Sequence, residues 1–209
     1  MRPFSQSWTY RFETFVFVIQ VQPGHTILVH AAAGGVGSLL YQWANALGAT
    51  VIGTVPTQEK ASQAKEDGCH HVIIYKVEDF VARVIEITSG NGVEVVYDSV
   101  GKDTFEGSLR CLKFRGYMVS FGQSSGAPDP VPLSALSVKS LFLTRPTLFH
   151  YTATRDELLE NAREVFANVD KGTLRVRVNH TYPLLVAWIM SRLSRMLEIL
   201  VAVVLHVFC

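Results

Sequence analysis

Cysteine is scarce in this chain of 209 residues: there are three, Cys69, Cys111 and Cys209, and no C-x-x-C pair. An odd number without that spacing fits a reducing compartment and argues against a disulfide scaffold or a structural zinc site. An excess of one charge is also missing, since 19 Lys and Arg face 18 Asp and Glu for a formal net charge of +1. That balance offers neither a basic field for nucleic acid nor an acidic solvating tail. A long clean apolar run is absent as well. The last 26 residues, Leu184–Cys209, hold twenty apolar ones, but Arg192, Arg195 and Glu198 leave uncharged runs of 8 and 11. Each is short of the roughly 20 residues that span a bilayer. This tail is expected to seek a core or an interface, with membrane contact the lesser expectation. At the other end, Glu13 interrupts the apolar stretch before Phe15–Ile19, which argues against a secretory leader. Arg2, Arg11, Ser5 and Ser7 with a single acid form a weak organelle signal, and the cytoplasm is the expected location.

What is present is a globular composition, 48% apolar with 15 Gly and 8 Pro, long enough at a rough prior of about 150 residues per domain for one domain and a remainder. From His25 onward, strand-like and helix-like stretches alternate. Thr26–His30 is a short apolar run, and Val36–Leu47 follows with apolar residues at 36, 39, 40, 43, 44 and 47 before Gly48, a helical stripe with a stop signal. Thr50–Val55, His71–Tyr75, Val93–Tyr97, Gly116–Phe121 and Leu141–Arg145 read as further strands. Helices are expected near 57–66, Asp79–Thr88 and Thr104–Leu112. Six short apolar strands separated by helices need crossover connections, hence parallel pairing with both sheet faces covered. The expected fold class is α/β, a doubly wound, Rossmann-type, mostly parallel sheet that takes ligands at the carboxyl ends of its strands. Later, Thr154 with Glu157 has capping-box spacing at the head of a helix to Val169. Leu174–Val178 alternates with Arg175 and Arg177 like a half-exposed strand.

Residues 32–37 read A-A-G-G-V-G between the first strand and the first helix. Against G-x-G-x-x-G the three positions are Ala32, Gly34 and Gly37. Gly34 would let the backbone approach a pyrophosphate, Gly37 would let the helix pack close to the strand, and free N–H groups would face the anion. A tight turn without a ligand is the bland alternative, but the strand–helix–strand order favours a dinucleotide. An acid that would hold a ribose 2′-hydroxyl belongs at the end of the second strand. That place reads Val55-Pro56-Thr57-Gln58, with Lys60 one turn into the helix. Without the carboxylate, Lys60 can pair a 2′-phosphate and Tyr75 can add a hydroxyl, which points to NADP(H) rather than NAD(H). A solvated Lys60 beside Glu59 is the competing reading.

These residues resemble a known family. VQPGHTILVHAAAGGVGSLL, GATVIGTV, VVYDSVG, GYMVSFGQSSG and LTRPTL, between Val21 and Leu184, look like the nucleotide-binding half of a zeta-crystallin-like quinone oxidoreductase in the medium-chain dehydrogenase/reductase superfamily. The resemblance implies a zinc-independent reductase that uses NADPH to reduce a quinone or enone. It implies that Ala33, Gly34, Gly35 and Val36 cradle the pyrophosphate, and that Thr57, Lys60 and Tyr75 surround the 2′-phosphate. Ser99, Phe121, Gly122 and Ser124 would line the path toward the nicotinamide. A homodimer joined near Leu141–Arg145 is implied too. No catalytic residue is assigned, because hydride transfer asks the protein chiefly for orientation and electrostatics. The resemblance stops at both ends. Where the family has a β-rich catalytic domain, residues 1–20 show no resemblance and are expected to stand in its place, and the chain departs again after Tyr182-Pro183-Leu184. The expected organisation is a divergent segment 1–20, a nucleotide-binding domain 21–150, a helix-and-strand remnant 151–183 and the tail 184–209. The expectation is a truncated form whose own turnover is in question, the alternative being a non-catalytic NADPH-binding or dimerising module.

Two other groupings carry less. Cys69-His70-His71 would alternate across a strand and cannot converge on one metal ion unaided. Asp98-Ser99 lacks the G-x-S-x-G elbow of a hydrolase nucleophile.

Overall fold

The computed structural model describes Ile19 and residues 21–178. Thirteen elements follow one another: β1 (Thr26–Val29), α1 (Gly35–Ala46), β2 (Thr50–Val55), α2 (Gln58–Glu66), β3 (His71–Ile74), α3 (Phe80–Ile87), β4 (Val93–Asp98), α4 (Phe105–Cys111), β5 (Leu112–Ser120), α5 (Leu133–Ser137), β6 (Phe142–Thr144), α6 (Leu148–Tyr151) and α7 (Arg155–Asp170). The strands form one six-stranded sheet in the order β3-β2-β1-β4-β5-β6. All of its strand pairs are parallel.

The period of two along each strand sorts side chains into two cores. Ile27, Val29, Val51, Val55, Val95, Tyr97 and Val119 face α1 and α2, where they meet Leu40, Tyr41, Trp43, Ala44, Ala61 and Ala64. Val165 and Val169 of α7 pack against the same side. The alternate residues Leu28, Ile52, Ile73, Val96 and Met118 face Val81, Val84, Phe105 and Cys111 of α3 and α4. Ile27, Leu28, Val29, Val51 and Ile52 are wholly buried, and each such aliphatic side chain contributes about 1.5–3 kcal/mol of burial. This two-sided covering is why the strands read as continuous apolar runs.

Three details differ from the sequence reading. Leu174–Val178 is not a strand. Leu174 is buried while Val176 and Val178 are exposed. Its backbone meets a side chain instead of a ladder: Gln42 Oε1 accepts from the Arg175 N–H at 2.7 Å and Gln42 Nε2 donates to the Arg175 carbonyl at 3.3 Å. β5 starts at Leu112 rather than Gly116, because Leu112 pairs with Val93 before the register shifts to Tyr117 opposite Val95. The short helices α5 and α6, of five and four residues, are too brief to show a helical period. The tail Leu184–Cys209 lies outside the described residues. Among those described, no helix is long and apolar enough to cross a membrane.

Candidate dinucleotide-binding site

Because every strand runs the same way, the loops after β1, β2, β3, β4 and β5 gather along one edge of the sheet. The order reverses between β1 and β4, and at such a switch point adjacent loops diverge and leave a crevice.

The loop after β1 is built from backbone. Ala31 takes a left-handed conformation at φ 51°, the Ala32 N–H donates to the Thr54 carbonyl at 3.0 Å, and the Gly34 N–H donates to the Ala31 carbonyl at 2.9 Å. Gly34 then caps α1 without any side-chain hydrogen bond, and the first turn carries no acid. Among the described residues the N–H groups of Gly35, Val36 and Gly37 meet no acceptor, the Ser38 N–H being the first to bond back, to Gly34. Three other helices are capped from within: Thr57 accepts from the Lys60 N–H, Asp79 from Val81 and Ala82, and Thr154 and Glu157 close a capping box, whereas the short α4, α5 and α6 have no side-chain cap either. The open N-terminus of α1, with its aligned dipoles, suits an anion. Gly37 is the packing glycine, since a Cβ there would lie 2.5 Å from the Ala31 carbonyl oxygen. Ala33 is buried, Gly34 and Val36 are half-buried, and Gly35 is exposed.

On the β2–β3 side, Val55 and Ile74 are paired, and the Tyr75 N–H donates to the Val55 carbonyl at 3.2 Å. Thr57 and Tyr75 therefore leave neighbouring strands just beyond a paired position, with Lys60 tied by its N–H to the Thr57 hydroxyl. Thr57 and Lys60 are exposed, and Tyr75 is 48% exposed, so these groups are open to a ligand. No acidic side chain stands at Pro56, Thr57 or Gln58.

On the β4–β5 side, the N–H groups of Phe121 and Gly122 donate to the Asp98 carbonyl at 2.8 and 3.3 Å, and the Ser124 N–H donates to the Ser99 carbonyl at 3.1 Å. A Cβ on Gly122 would lie 2.7 Å from the Ser99 carbonyl oxygen, so glycine lets these two loops touch. The structure thus brings Ser99, Phe121, Gly122 and Ser124 together, and the glycine loop and the Thr57–Tyr75 corner share their edge of the sheet.

Sequence reasoning gave no structural role to three polar residues here. Asp98 is buried, and its carboxylate accepts from the N–H groups of Val100 and Gly101 and from the Thr104 hydroxyl at 2.7, 3.0 and 2.8 Å. It holds a loop and is not the acid of a triad. Arg145 donates to the Ser120 carbonyl at 3.0 Å at the end of β5. His30, wholly buried, bridges Thr54 and Ser108. Burial holds its pKa down at about 4, against the opposing pull of Asp98. A polar residue closing an apolar strand was the one signal that marked His30. Burial pushes the Cys69 and Cys111 thiols up to about 12, which leaves them protonated and unreactive. Two grooves of about 510 and 530 Å³ flank Glu94, Lys113 and Phe114 at the opposite, amino-terminal edge. The open amides, and the end of β2 without an acid at 56–58, are what a dinucleotide needs and lie on the carboxyl edge.

Residues 35–168 match a family model described as zinc-binding dehydrogenase. The chain belongs to the zinc-binding dehydrogenase family. Within it, the similarity is to the nucleotide-binding half of quinone oxidoreductases. The chain is 50% identical over 167 residues to 2-haloacrylate reductase of a Burkholderia species, covering 79% of this chain and 50% of that protein. It is 52% identical over 168 residues to quinone oxidoreductase 1 of Escherichia coli strain K12, covering 79% and 51%. The crystal structure of Escherichia coli quinone oxidoreductase complexed with NADPH superposes with a TM-score of 0.75 at 49% identity, over 79% of this chain and 53% of that one. The chain spans about half the length of the curated relatives it matches. The family's description names zinc, but the described residues do not supply a site: no three or more His, Cys, Asp or Glu side chains group to hold an ion. His70 Nδ1 instead accepts from the Val51 N–H at 3.1 Å.

Proposed function

We propose that this chain binds NADPH along the carboxyl edge of its sheet, as the nucleotide-binding half of a reductase that passes hydride to a quinone or another conjugated carbonyl. The observation that carries the reading is the open N-terminus of α1, three amides that meet no acceptor among the described residues, over a loop of alanines and glycines, in a chain 52% identical over 168 residues to quinone oxidoreductase 1 of Escherichia coli. Ala33, Gly34, Gly35 and Val36 surround the pyrophosphate, with the N–H groups of Gly35 and Val36 and the helix dipole holding it. Thr57, Lys60 and Tyr75 take the 2′-phosphate, with Lys60 giving the charge and no carboxylate at Pro56, Thr57 or Gln58, where an acid would hold a ribose 2′-hydroxyl. Ser99, Phe121, Gly122 and Ser124 line the path toward the nicotinamide. When bound, NADPH supplies the hydride, and the protein supplies orientation and electrostatics. The edge strand β6 leaves Phe142 and Leu143 exposed beside Tyr117, whose ring stacks on Phe142 at 4.6 Å, and that edge joins two copies of the chain in this reading.

The second reading is a non-catalytic NADPH-binding or dimerising module, for which the open head of α1 and the exposed Phe142 and Leu143 of β6 suffice. NADPH oxidation by the purified chain with phenanthrenequinone as acceptor separates the two. Quinone-dependent turnover supports the reductase, whereas coenzyme binding without turnover supports the module.

A further inference from the structure

We propose that His30 is a positioning residue for the coenzyme site, a buried imidazole that locks three of its loops to one another; the proposal rests on the NADPH reading above. His30 directly follows β1, one residue before the left-handed Ala31 that turns the chain into the glycine loop. Its Nδ1 lies 2.9 Å from the Thr54 hydroxyl of β2, and its Nε2 lies 3.0 Å from the Ser108 hydroxyl of α4. The ring stands edge-on to Phe80 with centroids 5.0 Å apart. Burial keeps the imidazole neutral at ordinary pH, so one ring nitrogen donates and the other accepts, and both are matched by hydroxyls that can do either.

Each partner leads to a different site loop. Thr54 also accepts the Ala32 N–H through its carbonyl at 3.0 Å, so a single residue of β2 fixes the glycine loop by side chain and backbone together. It lies shortly before Thr57. Ser108 belongs to α4, whose head is held by the Thr104 hydroxyl on the Asp98 carboxylate. That carboxylate also fixes the Val100 and Gly101 amides next to Ser99. The glycine loop, the Thr57 corner and the Ser99 loop therefore share one buried joint. A buried polar group left without its partner is costly, so disturbing the joint displaces all three loops.

The test uses the full chain with four substitutions. NADPH affinity is read by nicotinamide fluorescence, and backbone order by hydrogen exchange. His30→Ala and Ser108→Ala are expected to weaken NADPH binding roughly tenfold, the size of one lost buried hydrogen bond. Exchange should accelerate in peptides covering residues 31–37 and 99–104 while β3 is unchanged. The Thr54 pair discriminates positioning from packing. Thr54→Val keeps the volume and removes the hydroxyl, and is expected to lose affinity. Thr54→Ser keeps the hydroxyl and removes a methyl, and is expected to retain it. A merely packing role reverses that order, and the reversed order overturns the proposal, as do affinities within about twofold of the parent for the His30 and Ser108 variants. Should His30→Ala fail to fold, the Thr54 pair still decides. Failure of the parent chain to bind NADPH would overturn the coenzyme reading, while the exchange pattern alone would still decide the joint.

Discussion

Gly37 has no room for a side chain: an added Cβ would sit 2.5 Å from the Ala31 carbonyl oxygen and 3.0 Å from the Ala32 backbone. The obstruction is backbone, which cannot swing aside. Gly37→Ala is expected to destabilise the fold by about 1–3 kcal/mol, as overpacking does, and to lower the melting temperature measured by circular dichroism. Lys60 acts differently, through charge at an exposed corner. Lys60→Ala is expected to weaken NADPH binding about tenfold and leave NADH nearly unchanged, as loss of one charge-assisted contact would. Equal loss for both coenzymes in parallel titrations would show that the residue acts structurally. His30 makes stability depend on pH. Its pKa falls from 6.5 unfolded to about 4 folded, so between those values the unfolded chain holds a proton that the folded chain excludes. Stability is therefore expected to fall as pH drops through that window, by on the order of 3 kcal/mol. Urea midpoints at pH 7 and 4.5 check this, and His30→Gln should flatten the loss. Gly34 and Gly37 were legible in the sequence because a turn motif is local. His30 was not, because its partners Thr54 and Ser108 lie 24 and 78 residues away.

Elements followed local rules wherever their neighbours matched them. β2 has the bounds its apolar run suggested, Thr50–Val55, and α7 opens on the Thr154–Glu157 box that its spacing announced. Thr154→Ala is expected to cost about 1 kcal/mol, visible as faster amide exchange in the first turn of α7. The alternation at Leu174–Val178 misled because a strand is defined by a partner. There the Gln42 amide takes the backbone bonds, and Arg177 reaches Asp67 at 2.7 Å. The start of β5 was hidden for a related reason. Lys113, Phe114 and Arg115 fell between the expected helix to Leu112 and the expected strand from Gly116, whereas Leu112 already pairs with Val93 and Lys113 forms an ion pair with Glu94. Pairing across the sheet, absent from local pattern, set both outcomes.

For the whole molecule, the alternation of strand and helix was enough to name a doubly wound sheet, because parallel neighbours require crossovers and both faces need cover. That architecture also set the site's place, at the one edge where five loops meet and the strand order reverses. Which groups meet across that edge was less legible. The contact of Gly122 with Ser99 and the bond from Tyr75 to Val55 depend on register. The central claim is that the amides of Gly35, Val36 and Gly37 at the head of α1, unbonded among the described residues, grip the phosphates of NADPH. Equilibrium titration of the purified chain with NADPH and with NADH, followed by nicotinamide fluorescence, tests it most directly. The account predicts saturable binding of NADPH, tighter than NADH by about tenfold or more. Absence of binding at millimolar coenzyme, or tighter binding of NADH, would contradict it.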